Sequence, residues 1–305
     1  MSALTKTAWT PEFANYFKSS WNDIVEWQKA NKDALRELVK LDGIAPVVQP
    51  VYHNTVNPSV GIRLHGINKW ANENNINIVV HVHFNDYPRK NASVAGTYTG
   101  FSIYVPGGQF FNSTSTKAVA NTVFKRLAKY NPVSNLRGER SGIIEEQDLI
   151  AIGSNNSVDA ASLLIEYAYI YEPQLVDPKV RELYLKEIAY ETYIGLLDFF
   201  DPAGALVEAK TFDTLTLPYK WNNQLTGKND SPQDVFALQT ALILDGVYPP
   251  AGLSSNECPR TGKLGPCTRS ALQTFQHKYD INNENGIAGP KTIETLNRIY
   301  SARTL

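Results

Sequence analysis

Cysteine is scarce in this chain: Cys258 and Cys267 are the only two in 305 residues, nine positions apart. No second Cys or His pair lies nearby at ligand spacing, which argues against a zinc site on them. The pair reads either as a local disulfide, implying an oxidising compartment, or as two separately buried thiols. A surplus of one charge is missing too. The 29 Lys+Arg nearly cancel the 30 Asp+Glu and leave −1, so a nucleic-acid partner, which needs clustered positive charge, is not expected. No stretch approaches the ~18 uncharged apolar residues of a membrane helix, and no membrane span is expected. No G-x-S-x-G elbow occurs, which leaves a serine hydrolase without its nucleophile turn. The opening MSALTKTAWTPEF lacks the apolar run and small-residue cleavage site of an export signal. If the protein works outside the cytoplasm, that signal is expected upstream.

What is present is a foldable composition. Hydrophobic residues at 43% and charged residues at 19% allow a sizeable core, and the length is a soft prior for two domains. Trp21, Ile24, Val25 and Trp27, continued by Ala34, Leu35 and Leu38, keep near-helical spacing until Asp42-Gly43. Residues 44–51 read as an edge strand and 60–75 as a second helix. Residues 76–85 are β-branched and apolar on both sides, as a buried strand of a mostly parallel sheet is. Period two sets His81, His83 and Asn85 on one face of it. Residues 100–105 and 162–167 read as further strands. Helices are expected over 113–130, capped by Ser113 or Thr114, and over 178–200. This alternation predicts an α/β fold, a mostly parallel sheet flanked by helices. Pro202, Gly204, Pro218 and Gly227 then break any period. The expected domains are 1–205, a linker over 206–230, and a small three-helix all-α domain over 231–305.

Within that last domain, Asp234-Val235 and Leu238-Gln239, then Gly262, Gly265 and Thr268, then Ala271 and Phe275-Gln276, then Gly286, Gly289 and Thr292 follow in order. The series resembles the type-one peptidoglycan-binding domain, with its D-V-x-x-L-Q start, A-x-x-x-F-Q helix and two G-x-x-G-x-x-T loops. The resemblance covers nearly all of 231–300 and implies peptidoglycan as a partner. Each Gly-x-x-Gly loop turns tightly into a helix, and Thr268 and Thr292 stand where a hydroxyl can satisfy first-turn amides. Leu238, Leu272 and Phe275 are expected core. A neutral surface of Gln, Asn and Tyr suits an uncharged sugar–peptide ligand.

Upstream, His81-Val82-His83-Phe84-Asn85 resembles the S-I-H-x-N strand of zinc-dependent N-acetylmuramoyl-L-alanine amidases. Ala71-Asn72, Gly100 to Tyr104 and Leu163 to Ile170 resemble that family's A-N, G-x-x-x-Y and L-V-E-x-G-F-[IL] segments. The resemblance implies hydrolysis of the amide between N-acetylmuramic acid and L-alanine, with Zn²⁺ as cofactor, in a bacterial, extracytoplasmic setting (periplasm or cell wall). It sets His83 at a zinc-ligand position and Glu166 at that of the general base. His81, where the family has Ser, and Asn85 are candidates to support His83 or to pack. Bound zinc polarises a carbonyl and brings its water to a pKa near ~7. A carboxylate then takes the water's proton and hands it to the leaving amine. The plainer alternatives are a hydrogen-bonded core histidine and half of a buried ion pair. His53, His65 and His277 match no ligand position.

The family also opens with a G-H-G-G strand whose His binds zinc, followed by a helix bearing a Glu ligand. No G-H occurs in this chain. Of the three expected protein ligands only His83 remains, and one histidine does not hold catalytic zinc. Two explanations stand: the missing pieces lie upstream together with an export signal, or this is a divergent relative that binds wall without cleaving it. In both cases these 305 residues are expected to be poor in metal and in activity.

Overall fold

Proline marks where helices begin. Of the ten α-helices among the described residues, eight start on one: Pro11, Pro58, Pro173, Pro178, Pro202, Pro232, Pro266 and Pro290. There the fixed φ suits the helix and the missing N–H had no intrahelical partner anyway. Side chains just before several of them complete the cap. Asn57 accepts from the Ser59 amide at 3.0 Å, Asp177 from Lys179 at 2.9 Å and Asp201 from Gly204 at 3.0 Å.

The computed structural model describes residues 10–47, 57–92, 94–210 and 212–301. Its elements run α1 (Pro11–Ser19), α2 (Trp21–Lys40), α3 (Pro58–Glu73), β1 (Ile78–Asn85), β2 (Ser102–Pro106), α4 (Ser113–Tyr130), β3 (Ile143–Glu146), a short 3₁₀ turn (Ile150–Ile152) and β4 (Ala161–Tyr169). Then follow α5 (Pro173–Val176), α6 (Pro178–Phe200), α7 (Pro202–Glu208), α8 (Pro232–Leu244), α9 (Pro266–Lys278) and α10 (Pro290–Tyr300). The four strands lie in the order β1-β4-β2-β3. β2 pairs parallel with β3, Ile103 opposite Ile143, and antiparallel with β4, Ser102 opposite Glu166. Bonds flanking β1, Ala161 N to Asn77 O at 3.1 Å and Ile170 N to Asn85 O at 2.9 Å, advance together along both strands, as parallel neighbours do. The α/β fold with a C-terminal helical domain is therefore present, with one antiparallel pairing in its sheet.

Several expectations need correction. β3 was not foreseen, because Ile143–Glu146 is four residues with an acidic C-terminal half and no alternation to read. β1 is not a buried strand. It lies at one end of the sheet order, and Val82 is 63% exposed. An apolar run does not distinguish a strand with two neighbours from a strand with one. Of the edge strand expected over 44–51, residues 44–47 are irregular and 48–51 lie outside the described residues, as does His53. The Ser113 hydroxyl does not cap α4 but donates to Pro106 O at 2.8 Å.

The chain packs as two compact units, Met1–His83 with Ser102–Asn121 and Ile143–Glu166, and Phe84–Phe101 with Thr122–Gly142 and Tyr167–Leu305. The first has small cores around Tyr104, Ile152 and Leu164 and around Ala71, Val158 and Ala160. In the second, Leu238, Leu242, Leu272, Phe275 and Leu296 form the centre of a helical core. Leu217, Trp221 and Leu225 join it, so part of the stretch expected as a linker is core. The Trp221 indole donates to Asp234 O at 2.9 Å, and its backbone exchanges two bonds with Asn297. Cys258 and Cys267 form a disulfide.

One hydrogen-bond device occurs twice in this helical region. Gln239 accepts from the Gly262 amide at 2.9 Å and donates to Lys263 O and Thr268 Oγ1. Gln276 accepts from the Gly286 amide at 2.9 Å and donates to Ile287 O and Thr292 Oγ1. Both glutamines are buried, so these motif residues clamp the glycine loops rather than face a ligand. The two threonines serve the clamps instead of capping. The first amides of α10 are taken by Glu284, from Lys291 N at 2.8 Å and Thr292 N at 3.0 Å. Gly286, at φ +80°, could not become alanine: the new Cβ would meet Arg269 O at 2.8 Å. Replacing Gln276 by alanine removes three hydrogen bonds, two of them buried, and is expected to cost about 2–4 kcal/mol. Urea unfolding reads this as a lowered midpoint, and an unmoved midpoint would refute the clamp.

Candidate functional site

His83 and Glu166 come from neighbouring strands. The Nδ1 of His83 stands 3.6 Å from Glu166 Oε1, with the imidazole 49% exposed and the carboxylate 15% exposed. That is ion-pair distance, beyond a direct hydrogen bond. The other carboxylate oxygen, Oε2, is buried without a partner, and so is the hydroxyl of Ser102. Ser102 lies directly opposite Glu166 in the β2–β4 register, so both side chains project from the same face of the sheet. A carboxylate oxygen buried with no donor is costly in a finished core. Such unsatisfied groups in folded proteins call for a reason, and catalysis is one.

The other expected residues divide. The ring of His81 lies 6.4 Å from that of His83, edge-on at 74°. Burial, and then the neighbouring His83, push it down to about 4, against a hydrogen bond with the Ala151 backbone. It is therefore a neutral ring at physiological pH, and its Nε2 is buried without a partner. Asn85 turns elsewhere: its amide donates to Glu139 Oε1 at 3.5 Å. Glu139 also accepts from the hydroxyls of Ser134 and Tyr169. That network was not foreseen, and no local pattern marks it, because Glu139 lies 54 positions from Asn85. Ser102 was within reach, since it sits in the Gly100–Tyr104 motif, but only the register sets it against Glu166. His65 is fully buried, with its ring 6.3 Å from that of Trp27, and His277 lies on α9.

The residues present do not fit catalytic zinc. Such a site takes three protein ligands. Among the described residues no group of three or more His, Cys, Asp or Glu converges as a metal ion requires. His83 and Glu166 make two.

The C-terminal region carries the clearest likeness to known proteins. Residues 231–296 match the family model described as "Putative peptidoglycan binding domain". That span contains both glutamine clamps and their glycine loops. No curated protein matches the chain. Among solved structures, it is similar to the N-acetylmuramyl-L-alanine amidase Ami1 from Mycobacterium smegmatis at 18% identity, covering 56% of this chain and 76% of that one, TM-score 0.35. It is also similar to the CwlD amidase from Clostridioides difficile in complex with the GerS lipoprotein at 17% identity, 59% and 86% covered, TM-score 0.34. The N-acetylmuramoyl-L-alanine amidase AmiC2 of Nostoc punctiforme shares 16% identity, 58% and 83% covered, TM-score 0.29. At this level of likeness the chemistry has to be argued from this chain's own residues.

His65 generates a pH prediction. Burial first, then the charge of Lys32, lower it from 6.5 to about 4. Above pH 6.5 both folded and unfolded rings are neutral and stability is complete. Below it the unfolded chain takes the proton first, so stability falls as pH drops toward 4, by up to about 3 kcal/mol. Denaturant unfolding at a series of pH values is expected to show this loss, and His65→Met to flatten the slope.

Proposed function

We propose that this chain is a peptidoglycan hydrolase of the N-acetylmuramoyl-L-alanine amidase type, held on the wall by its C-terminal domain over 231–305. The observation that carries the reading is the meeting of His83 and Glu166 at 3.6 Å, on a chain whose residues 231–296 match a peptidoglycan-binding family. Glu166 has the role of base. Its uncommitted Oε2 takes a proton from the attacking water and returns it to the leaving amine, as amide cleavage requires. The neighbouring imidazole of His83 steadies the charge of that carboxylate when protonated. The neutral ring of His81 lies 6.4 Å from that of His83, and Ser102 shares the face of Glu166. The substrate sets an extracytoplasmic place of work, and no helix among the described residues is long and apolar enough to cross a membrane.

A second reading, wall binding without cleavage, is favoured by one observation: the pair offers two donors where catalytic zinc needs three. Purified sacculi separate the two. The full chain is expected to co-sediment with them and to release new amino termini slowly. Removing a general base typically costs 10²–10⁴ in rate, so Glu166→Gln is expected to bring release to the enzyme-free background while leaving co-sedimentation unchanged. Release equal in wild type and Glu166→Gln, or absent from both, sinks the hydrolase and leaves the binder. Metal analysis of the purified protein is expected to find well under one zinc per chain.

A further inference from the structure

Helix α6 carries an apolar stripe that reaches solvent. Leu185, Ala189, Tyr193, Leu196 and Phe200 recur at spacings of four, four, three and four, which sets them on one face of the helix. Leu196 is half-buried and the other four are exposed, Tyr193 at 49% and Phe200 at 59%. The opposite face, with Tyr184, Ile188, Glu191 and Ile194, is buried. Phe199 meets Phe200 edge-on, ring centroids 5.0 Å apart, at the end of the stripe. α7 then folds back on α6. The Lys210 amide just past it donates to the Tyr190 hydroxyl at 2.8 Å, and Ala205 is fully buried. That leaves Leu206 and Val207 outward, at 77% and 82%.

The stripe and the two side chains of α7 present on the order of 600 Å² of mostly apolar surface, as much as the largest patch on a typical monomer. An isologous dimer buries about 800 Å² per partner, of which about two-thirds is apolar, so this area is what one such interface needs. The charges around it choose the occupant. Glu182, Lys186, Asp201, Glu208 and Lys210 are exposed, three acids to two lysines. A helix lying on an anionic membrane has a polar face rich in Lys and Arg, which this one lacks. Mixed signs suit a second copy instead. A two-fold axis at Tyr193, the middle of the stripe, sets α6 antiparallel to its copy. Lys186 lies about 10 Å before that axis and Asp201 about 12 Å beyond it. Each Lys186 therefore arrives beside Asp201 of the second copy, and the helix dipoles oppose. Lys186 is held by Glu182 at 2.8 Å with both side chains in solvent, so this charge contact orients the pair more than it strengthens it.

We propose that this face joins two copies of the chain, α6 against α6, antiparallel about a two-fold axis at Tyr193. The inference stands on α6 and α7 and does not depend on the peptidoglycan reading. Sedimentation equilibrium of the full chain is expected to give twice the mass of one chain at micromolar concentration. Tyr193→Glu sets two like charges across the axis. It is expected to raise the dimer dissociation constant by about thirtyfold or more, as loss of a central aromatic anchor does. Crosslinking tests the arrangement without removing charge. Cys258 and Cys267 are bonded to each other, so Tyr193→Cys is expected to give a disulfide-linked dimer on mild oxidation. Lys179→Cys, exposed on the same helix about 20 Å from the axis, is expected not to link. A wild-type chain still monomeric at about 100 μM has no such dimer and overturns the proposal, as does a dimer that Tyr193→Glu leaves intact. A monomer that floats with phosphatidylglycerol vesicles gives the face to a lipid surface and overturns it too. A dimer in which Tyr193→Cys links no better than Lys179→Cys overturns the antiparallel arrangement.

Discussion

The parallel pairing of β1 with β4 is the constraint on which the candidate site depends. Glu166 lies on a strand with neighbours on both sides, and His83 on a strand with one. The inner position takes the carboxylate out of water, and the edge position leaves the imidazole half in it. A slip of one residue in either strand would send one of the two side chains to the other face, and no 3.6 Å approach would remain. The β2–β4 register adds Ser102 to the same row, so three polar groups from three strands share one face without any of them being close in sequence.

Two sets of glutamates in this protein contrast, and the difference separates scaffold from candidate chemistry. Glu172 is buried yet accepts from the amides of Gly100 and Tyr169 and from Gln174. Glu187 and Glu284 are similarly served by backbone and hydroxyl donors. These acids tie loops to helices and strands, a task for which amide donors at fixed positions suffice. Glu166 and Glu191 instead keep oxygens with no donor. The first faces a histidine. The second lies within reach of the charges of Glu187, Asp213 and Arg260.

Much of the architecture was legible along the chain because it is local. Helices over 21–40, 113–130 and 178–200 follow from apolar spacing, and eight of the ten helix starts coincide with proline, a signal stronger than the hydroxyl caps first considered. The motif glutamines and glycines of the C-terminal domain were equally visible. Their job was not, because a Gln on a helix reads as a surface residue until the loop it clamps is folded back over it. Trp221 was hidden for the same reason. A broken period looks like a tether, and only the packing of α8 and α10 around it makes it core.

By itself the sequence determined which residue types were available: a histidine and a glutamate within apolar runs, two cysteines nine positions apart, and a repeated Gly-x-x-Gly pattern leading to peptidoglycan. These are properties of neighbours along the chain. Tertiary structure alone decided that His83 and Glu166 meet while Asn85 turns to Glu139, that β1 is an edge, and that two cysteines become one bond. It also decided that α6 keeps an apolar stripe, from Leu185 to Phe200, in reach of solvent. Each of these depends on which distant segment arrives alongside, and burial and pairing are set by the fold as a whole, not by local propensity.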